Sequence, residues 1–251
     1  MSALENASEE LCLSLHQPWA SLLVYGIKRI EGRDWSSKHR GRLWIHATTT
    51  KPNARTIQEM EDFYRRLHGM DGLVPEFPAT YPTGALVGCV SVVDVLTAEQ
   101  VEAWPQLAAS VKLEVGSPHA FLCEDARILT APMYMRGWPR IWHLPASDAA
   151  KAKLYLISPP QLGRSVFAWS AFERPADLLS QKLPVSSARN RFKEKYGSTI
   201  STHLSSKRRT LPDLLGGEGT LQDSRKQTKT GGRILWNVNS AKRIIFKARN
   251  T

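Results

Sequence analysis

Apolar positions in the first fifty residues change period twice. Leu11, Leu13 and Leu15 alternate with Cys12 and Ser14, so a short strand is predicted to end near His16. Trp19, Leu22 and Leu23 then fall at i, i+3 and i+4, one helical face that follows Pro18 and is closed by Gly26. Leu43, Ile45 and Ala47 next alternate with Arg42, Trp44 and His46, which predicts a strand burying one face and offering Arg42, Trp44 and His46 to a ligand on the other. The residues between helix and strand read as a loop.

Further along, residues 53–69 carry Ile57, Met60, Tyr64 and Leu67 on one stripe with Gly69 as a stop, an amphipathic helix. A crossing punctuated by proline and glycine leads from Gly72 to Gly84, and residues 85–96 are so β-branched that a central strand follows. Thr97 to Leu107 resembles a short helix capped by Thr97, with Glu99 and Gln100 in its first turn. Separate short strands are predicted at 120–123, 126–134 and 141–144, with turn signals at Arg136-Gly137 and Pro139. Short strands at this spacing with two or three small helices do not form a βαβ series. They predict an α+β domain, a small β-barrel with surrounding short helices.

That domain is expected over residues 11–145, with 146–174 as an extension packed on the barrel. Residues 175–232 are rich in Ser, Thr, Lys, Arg and Gly, and read as a basic, largely disordered linker. Ile234, Trp236, Val238, Ile244 and Phe246 restore some alternation, so 233–251 is read as a short C-terminal strand pair or a segment that folds on a partner.

Charge accounting sharpens the picture. The 251 residues carry 34 Lys+Arg against 23 Asp+Glu, a net +11, with 42% apolar residues for a core. The excess is uneven: residues 1–150 sum to −3 and residues 151–251 to +14. Within the first part, residues 28–42 hold 6 basic and 2 acidic side chains, a local +4 island on an acidic body. Lys28, Arg29, Arg33, Lys38, Arg40 and Arg42 are interleaved there with Trp35 and His39, and flanked by Trp19 and Trp44. Cations mixed with rings suit a partner that offers phosphates and flat bases.

Cys12, Cys89 and Cys123 are odd in number, far apart and set in apolar runs, which reads as buried thiols in an intracellular protein without a metal site. The acidic start, Met1 to Glu10, has no signal-peptide pattern, and no stretch nears the ~20 apolar residues a membrane span needs. A soluble protein of nucleus or cytoplasm is expected, with no cofactor motif, metal-ligand spacing, serine elbow or phosphate loop.

His16-Gln17-Pro18-Trp19 followed by Gly26-Ile27-Lys28-Arg29-Ile30-Glu31-Gly32-Arg33 matches the G-x-K-x-x-E-x-R signature of ASCH domains, and Arg40 to Ala47 matches the strand that follows it. Tyr81 to Val90 and Gly137 to Leu144 agree more loosely, so the resemblance covers about residues 11–145. It extends to the ASCH domain of a transcription coactivator, but without that protein's zinc-binding cysteine cluster and with a basic C-terminal extension of its own. The resemblance implies a PUA-like barrel with a cleft and nucleic-acid binding.

The expected contacts are Gln17, Lys28, Glu31, Arg33, Trp35, Lys38, His39, Arg40, Arg42, Trp44 and His46, with Lys207, Arg208 and Arg209 of the tail adding affinity. The partner is DNA or RNA, with protein partners of a coactivator type and no membrane. Lys28 and Glu31 are open to two readings, a salt bridge that orders the turn or a direct contact with base and phosphate. Two other functions remain. One is an enzyme on modified nucleosides or RNA, an amidohydrolase or nuclease using Lys28 with Glu31; it is disfavoured because small bacterial ASCH proteins that resemble amidohydrolases of acetylated cytidine use the signature lysine with a threonine and a glutamate, whereas here Lys28 is followed at the third position by Glu31, not threonine. The other is an adaptor facing an acidic protein.

Overall fold

The computed structural model describes residues 10–160 and 167–175. Its strands are β1 (Leu11–Leu15), β2 (Ile30–Arg33), β3 (Gly41–Ala47), β4 (Ala85–Thr97), β5 (His119–Tyr134), β6 (Ile141–His143) and β7 (Leu156–Ile157). They form one mixed sheet in the order β2-β5-β4-β3-β1-β6, with β7 added to β5. Only β1 and β3 run parallel, Leu13 opposite Ile45; the other pairings are antiparallel. The sheet curls into a half-barrel, and short helices close around it: α1 (Trp19–Val24), α2 (Ala54–Gly69), α3 (Ala98–Glu102), α4 (Ala109–Lys112) and α5 (Ala146–Lys153). This is the α+β arrangement, a small curled sheet with surrounding short helices, that the sequence predicted.

Local chemistry accounts for the elements. The Asn53 side chain accepts from the Thr56 backbone N–H to start α2, which buries Met60, Phe63, Tyr64 and Leu67. Thr97 and Gln100 cap α3 reciprocally, a capping box. Leu13, Leu15, Leu43, Ile45, Val90, Val92 and Phe121 pack inside the curl with Leu23 and Val24 of α1.

Three expectations are corrected. Residues 30–33 are a strand, not loop: Ile30 sits opposite Leu122 and Arg33 opposite His119, and the buried charges of this strand hide its alternation. The separate strands at 120–123 and 126–134 are one long β5, kinked at Asp125, whose φ of 47° is left-handed. Trp44 and His46 do not face a ligand; Trp44 is wholly buried and His46 nearly so, because α5 and the 135–143 segment cover that side of β3. Residues beyond 145 pack on this body: Ala149 and Ala152 of α5 are buried, and Trp169, in a 3-10 turn at Trp169–Ala171, fills a cluster with Trp104, Leu122 and Val111.

The linker, the C-terminal strand pair and Lys207, Arg208 and Arg209 lie outside the described residues. Among the described residues, no helix is long and apolar enough to cross a membrane.

Candidate nucleic-acid interface

The signature residues converge on one cleft. Leu15 and His16 at the end of β1, Trp19 of α1, Glu31, Gly32 and Arg33 of β2, Tyr64 of α2, and Ser117 surround a cavity of about 100 Å³. Gly32 is required by a close approach, since a Cβ there would lie 2.7 Å from the Ser117 hydroxyl oxygen. Lys28 reaches the same cleft from the turn after α1.

Charge in this wall is paired from within. Lys28 Nζ donates to the Ile30 carbonyl and stands 3.3 Å from Glu31 Oε2, with both side chains 7% exposed. The other carboxylate oxygen, Oε1, is 3.1 Å from Arg33 Nη2. That contact lies off hydrogen-bond alignment, so Nη2 and Nε of Arg33, both buried, have charge compensation but no directed acceptor.

Behind them, Glu114 is wholly buried. It accepts from Arg29 Nε at 2.5 Å and from the backbone N–H groups of Arg29 and Ile30 at 2.7 and 3.1 Å. Arg29 Nη1 also lies 3.5 Å from Asp71. Arg29 is thus a structural cation, which local sequence could not show because its partners are 42 and 85 positions away.

The remaining expected contacts divide. Gln17 is buried; its amide donates to Ser21 Oγ and the Pro82 carbonyl, both at 2.7 Å, and fixes the start of α1. Trp44 Nε1 donates to Glu10 at 2.6 Å, and Glu10 also pairs with Lys153 of α5. His46 donates from Nε2 to the Met135 carbonyl, while Nδ1 accepts from Ser14, which in turn accepts from Trp142 Nε1. Gln17, Trp44 and His46 are therefore corrected to internal supports.

Arg40 pairs with Asp94, which also holds Arg174. Burial works to raise the Asp94 pKa, but the Val95 N–H and the two arginines outweigh it and hold the carboxyl below its ordinary value. Lys38 and Arg42 are exposed, and no ion pair engages them among the described residues. His39 is half-buried against the Arg42 carbonyl at 3.0 Å; desolvation lowers its pKa. Trp35 is half-buried, edge-on to Phe121 at 5.4 Å, with its face covered by Arg140.

The +4 island is therefore largely neutralised in three dimensions. Sequence reading missed Glu114, Tyr64 and Ser117; Tyr64 stood in the buried stripe of α2, and nothing local marked the other two as neighbours of β2. No group of His, Cys, Asp or Glu suited to a metal ion occurs among the described residues. A second, larger cavity of about 230 Å³ lies beyond Lys28 and Arg29, walled mainly by apolar groups such as Leu23, Tyr25, Leu73 and Phe167.

Activating signal cointegrator 1 of Homo sapiens is 45% identical over 147 residues, covering 58% of this chain and 24% of that protein. The Mus musculus protein of the same name is 43% identical over the same coverage. The chain thus spans about a quarter of the length of these relatives. Among solved structures, ASCH from Zymomonas mobilis is similar at 15% identity and a TM-score of 0.36, covering 61% of this chain and 99% of that one. Residues 13–133 match the ASCH domain family, and this part of the chain is an ASCH domain.

Proposed function

We propose that this ASCH domain binds nucleic acid, with an unpaired base or its phosphate entering the cleft beside Arg33. The observation that carries the reading is the Arg33 guanidinium: it lines a small cavity, and its buried Nε has no acceptor among the described residues. A buried donor without an acceptor costs free energy unless a ligand supplies one. A phosphate oxygen or a base carbonyl meets that need, and Trp19 and Tyr64 add flat apolar surface to the same walls.

Lys28 acts in this reading as the cation that holds Glu31 in place, so binding rather than turnover is the activity proposed. The similarity to activating signal cointegrator 1 supports a coactivator-type or RNA-associated role in the nucleus, with protein partners besides nucleic acid. The adaptor reading has no comparable support, because the cations that would face an acidic protein are mostly engaged internally.

Fluorescence anisotropy of labelled single-stranded RNA, single-stranded DNA and duplex DNA with the full chain tests the proposal. Arg33→Ala is expected to weaken binding of a single-stranded probe on the order of tenfold, as for loss of one charge-assisted contact. Equal affinity of the variant and the wild type for all three probes would overturn it.

A further inference from the structure

Outside the cleft, basic and aromatic side chains meet at the surface in the segment from Tyr134 to Arg140. Tyr134 is 75% exposed and Trp138 46%, and both arginines of the segment, Arg136 and Arg140, are exposed. The Arg136 guanidinium lies over the Trp138 ring at 5.5 Å, and that of Arg140 over the Trp35 ring at 5.7 Å. No carboxylate pairs with either arginine among the described residues, in contrast to Lys28, Arg29, Arg33 and Arg40.

The ridge is rigidly built. Met135 N–H donates to the Gly84 carbonyl, and Gly137 packs so closely on His46 that a Cβ would fall 2.3 Å from the ring. Trp138 rests on Trp142 with centroids 5.1 Å apart. Arg140 has a φ of 61°, a left-handed conformation that glycine or asparagine adopts more readily, yet an arginine occupies it.

The ridge also adjoins the cleft. Arg140 precedes Ile141 of β6, which pairs with Leu13 of β1, and β1 ends at Leu15 in the cleft wall. Trp35, under Arg140, follows two residues after Arg33.

We infer that Tyr134, Arg136, Trp138 and Arg140, with Trp35, form a second subsite that carries a single nucleic-acid strand away from the cleft, stacking its bases on Arg–Trp platforms while the guanidinium charges meet its phosphates. The occupant is single-stranded because flat platforms at a surface need unpaired bases, whereas a duplex offers mainly its backbone. The inference rests on the cleft reading for its starting point but makes a separate demand: affinity that grows with strand length.

The test measures binding of the full chain to a thymidine dinucleotide and an octanucleotide, and to the matching uridine oligomers, across a salt series. Trp138→Ala is expected to weaken the octamer roughly tenfold and leave the dimer unchanged, with Trp138→Phe restoring most of the loss. Arg136→Ala with Arg140→Gly should lower the octamer salt slope by about 1.4, at about 0.7 per contact. Arg140→Gly relaxes the backbone, so its thermal midpoint should hold or rise while binding falls. If Arg33→Ala weakens both oligomers while the ridge variants bind the octamer as the wild type does, the ridge is overturned and the cleft stands. If the wild type binds neither oligomer, both readings fall; if the ridge variants weaken the dimer as much as the octamer, the length-dependent subsite is overturned.

Discussion

Lys28 Nζ and Glu31 Oε2 stand 3.3 Å apart with both side chains 7% exposed, and the second oxygen of Glu31 faces Arg33. The residues that define the family signature are thus one chain of charge, Lys28 to Glu31 to Arg33, buried at Lys28 and Glu31 and partly open at Arg33. Its central carboxylate cannot be removed without leaving two cations uncompensated. Glu31→Ala is expected to cost about 3–5 kcal/mol of stability, read by urea unfolding. Lys28→Met combined with Glu31→Leu should cost clearly less than the sum of the single changes, because the pair is desolvated as a unit. Strict additivity would mean that the two groups do not interact.

Gly88 sits where β4 shifts register against β5, with a φ of 158°. A Cβ there would come within 2.1 Å of the Arg127 carbonyl oxygen, a backbone atom that cannot swing aside. Gly88→Ala should therefore destabilise the fold by about 3 kcal/mol. An unchanged thermal midpoint in calorimetry would contradict the packing described for these strands.

Trp169 is 2% exposed, and its indole donates to the Cys123 carbonyl at 3.0 Å, while its backbone N–H donates to Glu124 at 2.7 Å. Trp169→Ala should cost about 3–5 kcal/mol. For the same reason a chain ended at residue 145 is expected to lose cooperative unfolding, whereas one ended at residue 175 keeps it. Equal melting of the two truncations would show that the ASCH body needs nothing beyond residue 145.

Burial lowers the pKa of His46 and His68, against opposing hydrogen bonds to the carbonyls of Met135 and Ile27. The unfolded chain protonates these imidazoles near the ordinary value of ~6.5, but the folded chain only at lower pH. The unfolded state therefore binds more protons in that window, and stability falls as pH drops below ~6.5 toward the folded values. Unfolding free energy measured at pH 5 should be lower than at pH 7.5. His46→Gln should flatten part of that difference, and an identical pH dependence in the variant would exclude His46 as a contributor.

Period and capping made much of the scaffold readable. The stripe of α2, the β-branched run of β4 and the Thr97 cap need only neighbours in sequence. β2 was hidden because its buried positions include Glu31 and the backbone of Gly32, which no alternation rule marks as a strand core. Trp44 and His46 were assigned the open face of β3 because alternation gives two faces but not what covers them. Here α5 and the 135–143 segment do, and both come from about a hundred residues downstream. The charge island misled in a related way: Glu114, Asp71 and Asp94 cancel Arg29 and Arg40 across distances that a local count cannot see. The signature still led to the cleft, because Lys28, Glu31 and Arg33 lie close enough in sequence to meet without help from elsewhere.

In the proposed function the ASCH body, rather than the basic tail alone, grips nucleic acid. Ultraviolet cross-linking of the full chain to single-stranded oligonucleotides carrying 4-thiouridine or 4-thiothymidine, followed by peptide mapping, tests it most directly. Cross-links are predicted in peptides spanning residues 16–35, 60–64 or 134–142. Cross-links confined to residues 176–251 would contradict the account.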